Sequence, residues 1–506
     1  MPYNTAPILE IGPGNGLLAP LFIKQAEQLG ITYIVVEAIP QLLVLQQAVL
    51  RYFSVKENSF TYCSSVDRYK ELRKELKEDF NFLSSGDTEV VLAAWMKWGE
   101  NFLHKLNGMF SFCIWDEKNK RAFLARDRFG QKPFFYYKHN KHFLFSSEIK
   151  GLLASGIRSE PNNSAWLKYL YKASYDDSRE TFFKNIYQLE PGECAWWDQR
   201  RGMTLKRWYK ISEKINFSKF TMKEASNTLT DLLFDVGKLH MRSDVPIGLS
   251  LSGGLDSSIL MACMNFNKRD TQREAISVEF GGKGGFSERE WVVLSSKYFG
   301  VSPHIETYYP NDCIYDFVPL LWHNEAPLGG VMHLGRTRVM SIAKKKGIRV
   351  MQDGTGLDEI FGGYKLHHDM YMRNNLGIAK AEYKKMLKEY SLHWGREATK
   401  FNEKALSLND NGQTLAIDGT QLTNTEALNI SSQNEAKSIG LNQLNFTTGD
   451  AVKDSMLEYL LIRKIPRNNL FTDRMSMAYG VELRFPFLDH RLVELGINFP
   501  NDVIFF

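Results

Sequence analysis

Apolar positions fall into short runs whose spacing changes along the 506 residues. Between residues 222 and 370, strand-length runs alternate with helical ones. Pro246-Ile247-Gly248-Leu249-Ser250-Leu251 reads as a buried strand, and Ile259-Leu260-Met261-Ala262-Cys263-Met264 as the first turns of a buried helix. Ala275-Ile276-Ser277-Val278-Glu279-Phe280 alternates as a second strand, and Gly347-Ile348-Arg349-Val350-Met351 leads from a helix into a third. This succession predicts a parallel sheet covered on both faces. Residues 65 to about 200 instead mix one helix, Tyr69 to Glu78, with several strands, and residues 7 to 50 read as a short β-α-β start. From Tyr371 onward the pattern is mainly helical. A stretch at about Ser407 to Asp450, rich in Asn, Gln, Thr and Ser, interrupts it and predicts a mobile insertion.

Length favours two or three domains over one core. Hydrophobic residues at 43% and charged residues at 24% are ordinary for a soluble globular chain. A net charge of +5 makes no electrostatic case for nucleic acid or an anionic membrane surface. No apolar run approaches the ~18 residues of a membrane span. The five cysteines lie far apart with no C-x-x-C pair, so neither a zinc site nor a disulfide framework is expected. Reduced thiols and a cytoplasmic location follow. The start, Met1-Pro2-Tyr3-Asn4, lacks the pattern of a signal peptide.

The chemistry begins at Ser252-Gly253-Gly254-Leu255-Asp256-Ser257-Ser258, set between the first strand and its helix. Paired glycines let a backbone approach an anion closely, and the helix start offers unpaired N–H groups and a positive dipole end. No Gly-Lys-Ser/Thr closes this loop, so it is not the usual P-loop. It resembles the pyrophosphatase loop of enzymes that cleave ATP between its α- and β-phosphates. A second loop, Gln352-Asp353-Gly354-Thr355-Gly356-Leu357-Asp358-Glu359, follows the third strand. Acids at a strand's carboxyl end belong where ligands bind in an α/β sheet. A carboxylate there can share a Mg²⁺ with Asp256.

Two further segments, Asp473-Arg474-Met475-Ser476-Met477 and Val481-Glu482-Leu483-Arg484-Phe485-Pro486-Phe487-Leu488-Asp489, complete a set of four motifs. In this order they resemble the glutamine-dependent asparagine synthetase family over roughly residues 65 to 500. The resemblance implies an α/β and α+β multidomain fold. A partial N-terminal-nucleophile-type glutaminase sandwich would precede a PP-loop ATP pyrophosphatase domain, an adenine-nucleotide α-hydrolase-like parallel sheet. The expected divisions are residues 1–60, 61–205 and 220–506.

By the same resemblance, Asp256 and Asp358 would ligate Mg²⁺, and Ser252, Gly253, Gly254, Ser257 and Ser258 would surround pyrophosphate. Ser250, Val278 and Gly354 fall where the family holds adenosine, and Leu255 and Asp353 complete the ATP-binding candidates. A carboxylate, aspartate first among them, would be adenylated and then amidated by ammonia. The family often carries a glutamate where Thr355 stands. A threonine hydroxyl is a poor general base near neutral pH, so Asp353 or Glu359 is the alternative.

Residues 86 to 151 match the later part of the family's glutaminase domain. Segments Leu106 to Phe112 and Ala125 to Pro133 read as strands joined by a turn, and Asp87 would hold the α-amino group of glutamine. The family's nucleophile is an N-terminal cysteine. This chain starts Met1-Pro2 and its first cysteine is Cys63, so its own glutamine hydrolysis is not expected. Ammonia would arrive free or from a partner glutaminase. Glu10-Ile11-Gly12-Pro13-Gly14-Asn15-Gly16, with Glu37 after a second strand, instead resembles the opening of an S-adenosylmethionine methyltransferase. The family's phosphate-contacting lysine beyond the Pro-Phe-Leu-Asp segment has no counterpart before Phe506, and Lys464 does not match its motif. The remaining alternatives are an impaired ATP-binding remnant and an amidotransferase of a sugar or peptide pathway. A homodimer is compatible with everything above.

Overall fold

A computed structural model of the chain describes residues 69–83, 85–116, 118–139, 142–217, 219–266, 273–282, 287–328, 332–375, 380–394 and 428–505, with the strand backbones 9–11, 34–36 and 59–61. Gly12, Gly14, Gly16, Glu37 and Cys63 lie outside the described residues.

The first half is a sandwich of two five-stranded sheets. One runs β1 (Leu9–Ile11), β2 (Ile34–Val36), β7 (His142–Ser146), β6 (Phe135–His139), β8 (Ile186–Gln188). The other runs β10 (Gly202–Arg207), β9 (Glu193–Asp198), β5 (Arg121–Arg126), β4 (Ser111–Asp116), β3 (Ser59–Thr61). Side chains alternate between faces along a strand. In β4, Cys113 and Trp115 turn into the sandwich against Phe143 and Phe145. Phe112 and Ile114 turn the other way, into a second core with Val90 and Val91 of α1 (Asp87–Trp98).

The expected strand from Ala125 to Pro133 ends early, at Arg126. Asp127, fully buried, accepts hydrogen bonds from the N–H groups of Phe129 (3.1 Å), Gln131 (2.9 Å) and Lys132 (3.0 Å). The following residues wind around that carboxylate instead of extending. Leu106 to Phe110 likewise remain outside β4.

The second half is built on one parallel sheet ordered β13 (Pro303–Tyr308), β12 (Arg273–Phe280), β11 (Ile247–Ser250), β14 (Val350–Gln352), β15 (Glu482–Arg484). β11 pairs in parallel with both neighbours, Leu249 standing opposite Ala275 on one side and Gln352 on the other. The chain moves outward from β11 through β12 to β13, then returns to β14. The strand order therefore reverses between β11 and β14, which creates a crevice at their carboxyl ends.

Helices α2 (Leu255–Phe266) and α3 (Arg289–Phe299) follow β11 and β12, and α4 (Pro310–Asn324) and α5 (Met332–Lys345) lead from β13 to β14. α6 (Leu357–Phe361) follows β14, while α7 (Ile465–Ala478) and α8 (His490–Asn498) flank β15. Part of the expected insertion is ordered. Ile430–Ser438 is a helix capped by Asn429, and the nearby Asn442 donates to the Asp177 carbonyl of the first half (2.6 Å). A cap and a docking surface override the polar composition there.

The two halves share one apolar core that includes Phe102, Phe110, Ile342 and Phe485. Among the described residues, no helix is long and apolar enough to cross a membrane.

Candidate nucleotide site

Both signature loops emerge at the β11/β14 crevice. Residues 251–254 join β11 to α2, and residues 353–356 join β14 to α6. Gly253 has φ +79°, and a Cβ there would lie 2.6 Å from Trp291 Cβ on α3, so the turn accepts no side chain. Gly354 brings the loops together, because a Cβ on it would lie 2.9 Å from the Asp256 Cβ.

The first loop is organised by its own serines. Ser257 Oγ accepts from the Ser252 N–H (3.3 Å) and donates to the Gly254 carbonyl (3.2 Å). The Ser252 hydroxyl takes the Gly254 N–H (3.3 Å), and Ser258 pairs with Ser295 of α3 (3.1 Å). These bonds hold the turn open at the start of α2, where orphan N–H groups face the crevice. Ser250 ends β11 and Val278 lies on β12, so both border the same edge. Leu255 is 73% exposed and projects outward from the loop. Asp87 belongs to α1 in the other half and does not join this cluster.

Acids converge where the loops meet. Burial and the charges of Asp358, Glu359 and Asp353 push the Asp256 carboxyl up to about 7. Burial also raises Glu359, opposed by Lys464. Thr355 points its hydroxyl at Asp353 (2.6 Å), and its N–H binds the same oxygen (3.0 Å). Asp353 is thus occupied in shaping the loop, and Thr355 is bound to it.

Sequence reasoning named Lys464 only to set it aside as not matching the family's lysine motif, yet the structure brings it to this site. Lys464 Nζ lies 3.6 Å from Glu359 Oε1 and 3.6 Å from the centre of the Tyr364 ring, and it also hydrogen-bonds the Tyr364 hydroxyl. Tyr364 in turn donates to Glu359 (2.6 Å). A π-helical turn, Tyr459–Arg463, ends immediately before Lys464, and such turns frequently mark functional sites. Nothing near Lys464 in sequence announces partners 100 residues earlier.

Asp256, raised by burial and by the charge of Asp358, forms with Asp358 a pair of carboxylates suited as donors to a hard divalent cation. Among the described residues, no group of three or more such side chains forms a complete metal cage. A pair of carboxylates completed by phosphate oxygens and water is how Mg²⁺ is commonly held at nucleotides.

A sandwich of glutaminase type is therefore joined to a parallel-sheet domain with an anion loop and an acid pair at its switch point. The comparisons agree. The asparagine synthase family model matches residues 228–503, more than half of the chain, and a glutamine amidotransferase domain matches residues 53–209. The chain belongs to the asparagine synthase family of amidoligases and carries a glutamine amidotransferase domain.

It is 27% identical over 452 residues to asparagine synthetase (glutamine-hydrolyzing) 1 of Bacillus subtilis, covering 87% of this chain and 69% of that one. It is 29% identical over 467 residues to that organism's asparagine synthetase 3, covering 88% and 70%. Identity reaches 34% over 307 residues with a Methanocaldococcus jannaschii protein named "Putative asparagine synthetase (glutamine-hydrolyzing) 2", covering 59% of this chain. The match spans only 58% of that relative's length.

Proposed function

We propose that the chain is an ATP-dependent amidoligase. A carboxylate oxygen attacks the α-phosphorus of ATP, and the bond to pyrophosphate breaks, leaving an acyl-adenylate. The nitrogen of ammonia then attacks the acyl carbon, AMP departs with the bonding electron pair, and the nitrogen gives up a proton. The observation that carries this reading is the meeting of the serine-glycine loop and the Asp353–Glu359 loop at the sheet's switch point.

In this reading the Ser252–Ser258 loop and the start of α2 hold the pyrophosphate, while Ser250, Val278 and Gly354 border the adenosine. Asp256 and Asp358 would hold Mg²⁺, which when bound supplies positive charge against the departing pyrophosphate. The chain's own residues orient the reactants, a contribution that accounts for much of the catalysis of such transfers. Lys464 and Tyr364 fix Glu359 beside the acid pair. Aspartate is the carboxylate that the relatives' names favour.

Ammonia, rather than glutamine handled by this chain, is the nitrogen source we propose. Supporting this, Cys113, Cys194 and Cys263 are buried, and burial pushes the thiols of Cys194 and Cys263 up to about 12 and about 11. A thiolate nucleophile requires the opposite shift. We further propose the division into residues 1–60, 61–205 and 220–506, the first resembling a methyltransferase opening in sequence while lending β1 and β2 to a sheet of the sandwich. Pyrophosphate release measured with aspartate and either ammonium or glutamine tests the reading. Ammonium supports turnover, and glutamine does not replace it.

A further inference from the structure

Helix α7 is buried on two sides, and one of them belongs to the sandwich half. Arg467, Leu470, Asp473 and Arg474 recur at helical spacing, and each is less than a tenth exposed. All four meet the first half of the chain. Arg467 lies over the Tyr175 ring, 5.0 Å from its centre, and Leu470 packs among Phe135, Ile149, Leu152 and Ile186. Asp473 pairs with Lys132 (2.7 Å), and Arg474 lies 5.1 Å from the centre of the Phe135 ring. On its other side, Phe471 and Met475 pack against Tyr308, Leu320 and Leu334 of the parallel-sheet half. Close packing on both sides fixes the helix in place and in rotation.

Lys464 caps the start of this helix, one turn before Arg467. Burial pulls the Lys464 ammonium down; Glu359 and Asp358 oppose that shift, and Arg336 and Arg467 reinforce it. The ammonium therefore stands between carboxylates that draw it and guanidiniums that repel it. Displacing Arg467 would displace Lys464 with it.

We propose that the sandwich half is part of the ligase site, with Tyr175 acting through Arg467 as a positioning residue for Lys464. The turn that carries Tyr175 holds its ring still. Ala173 and Asp176, on either side of it, have φ of +52° and +53°. Left-handed backbone at non-glycine residues is sparsely populated, and it persists where the surroundings over-determine it, commonly at functional positions. Tyr169 and Phe182 brace the ring, with centres 5.4 and 6.3 Å away, and Tyr175 is buried. A desolvated ring face holds a guanidinium more strongly than an exposed one. The sandwich thus supplies geometry to the ligase site, a task separate from glutamine hydrolysis.

A double-mutant cycle on the full chain, read as ammonium-dependent pyrophosphate release with aspartate, tests this. Its activity readout rests on the amidoligase reading above. Tyr175→Leu should lower kcat by about tenfold and leave the KM for ATP within about twofold, while Tyr175→Phe, which keeps the ring, should retain most of the rate. In a Lys464→Met background, Tyr175→Leu should cost almost nothing further. Equal losses in both backgrounds, or no loss in either, overturn the proposal. Arg467→Gln should repeat the pattern, which covers the case of a leucine variant that misfolds. Carbon-13 spectra of chain labelled at lysine Cε provide an arm free of turnover. The signal missing from Lys464→Met identifies Lys464, and Tyr175→Leu and Arg467→Gln should each displace it. A wild type that releases no pyrophosphate refutes the amidoligase reading alone. A Lys464 signal unmoved by both variants overturns the positioning role alone.

Discussion

Lys132 Nζ lies 2.7 Å from Asp473 Oδ1, and both side chains are less than a tenth exposed although 341 residues separate them. The pair sits where the sandwich meets α7, and it is one of several charged or polar ties across that seam. Glu325 accepts the N–H groups of Ile149 (2.8 Å) and Lys150 (2.6 Å) and pairs with Arg474 (3.4 Å). Asn107 donates to Asp489 (2.9 Å), and Asn469 donates to the Phe129 carbonyl (2.9 Å). Breaking a buried pair leaves an uncompensated charge, which costs roughly 3–5 kcal/mol. Lys132→Met should therefore lower the urea midpoint of both halves together, and Lys132→Met with Asp473→Leu should recover most of the loss. Separate unfolding transitions in the wild type would show that the seam does not couple the halves.

Lys464 gives a prediction inside the site. Groups that orient those in direct contact with a metal or substrate typically cost about 10–100-fold when removed. Lys464→Met should lower pyrophosphate release by about that factor with the fold intact by circular dichroism, and Lys464→Arg should retain most of it. Equal losses in both variants would mean that packing, not charge, is what matters at this position.

Lys453 predicts a pH dependence. It is 1% exposed, and its ammonium has no hydrogen-bond partner among the described residues. Burial pulls it down to about 7, with Asp450 opposing. An unfolded lysine titrates near ~10.4, so between these values the unfolded chain binds more protons than the folded one. Stability should rise as pH climbs from about 7 towards about 10, because the cost of burying the charge fades. Lys453→Met should raise the urea midpoint at neutral pH and flatten that rise. A variant with the wild-type slope would place the titration elsewhere.

The parts legible in the sequence were those encoded by consecutive residues. The strand, serine-glycine turn and helix at 247–266 spell their own geometry, and so do the acids that follow β14. The sheet's switch point then brought them together. The Asp473–Met477 and Pro486–Asp489 segments were recognisable as motifs, but their work was not readable. Asp473 and Asp489 face Lys132 and Asn107, more than 300 residues away. Separation in sequence hid the role of Lys464 too, since Tyr364 lies 100 residues before it. Local composition misled twice. The polar stretch around Ile430 became a capped, docked helix, and the run after Arg126 folded around the buried Asp127 carboxylate.

The amidoligase reading is tested most directly by the nucleotide products of the wild type and Asp256→Asn, with α-labelled ATP, Mg²⁺, aspartate and ammonium. The acid pair at the crevice predicts AMP and pyrophosphate, formed only when the carboxylate is present and lost in Asp256→Asn. ADP and phosphate as products, or AMP formation undiminished in Asp256→Asn, would contradict it.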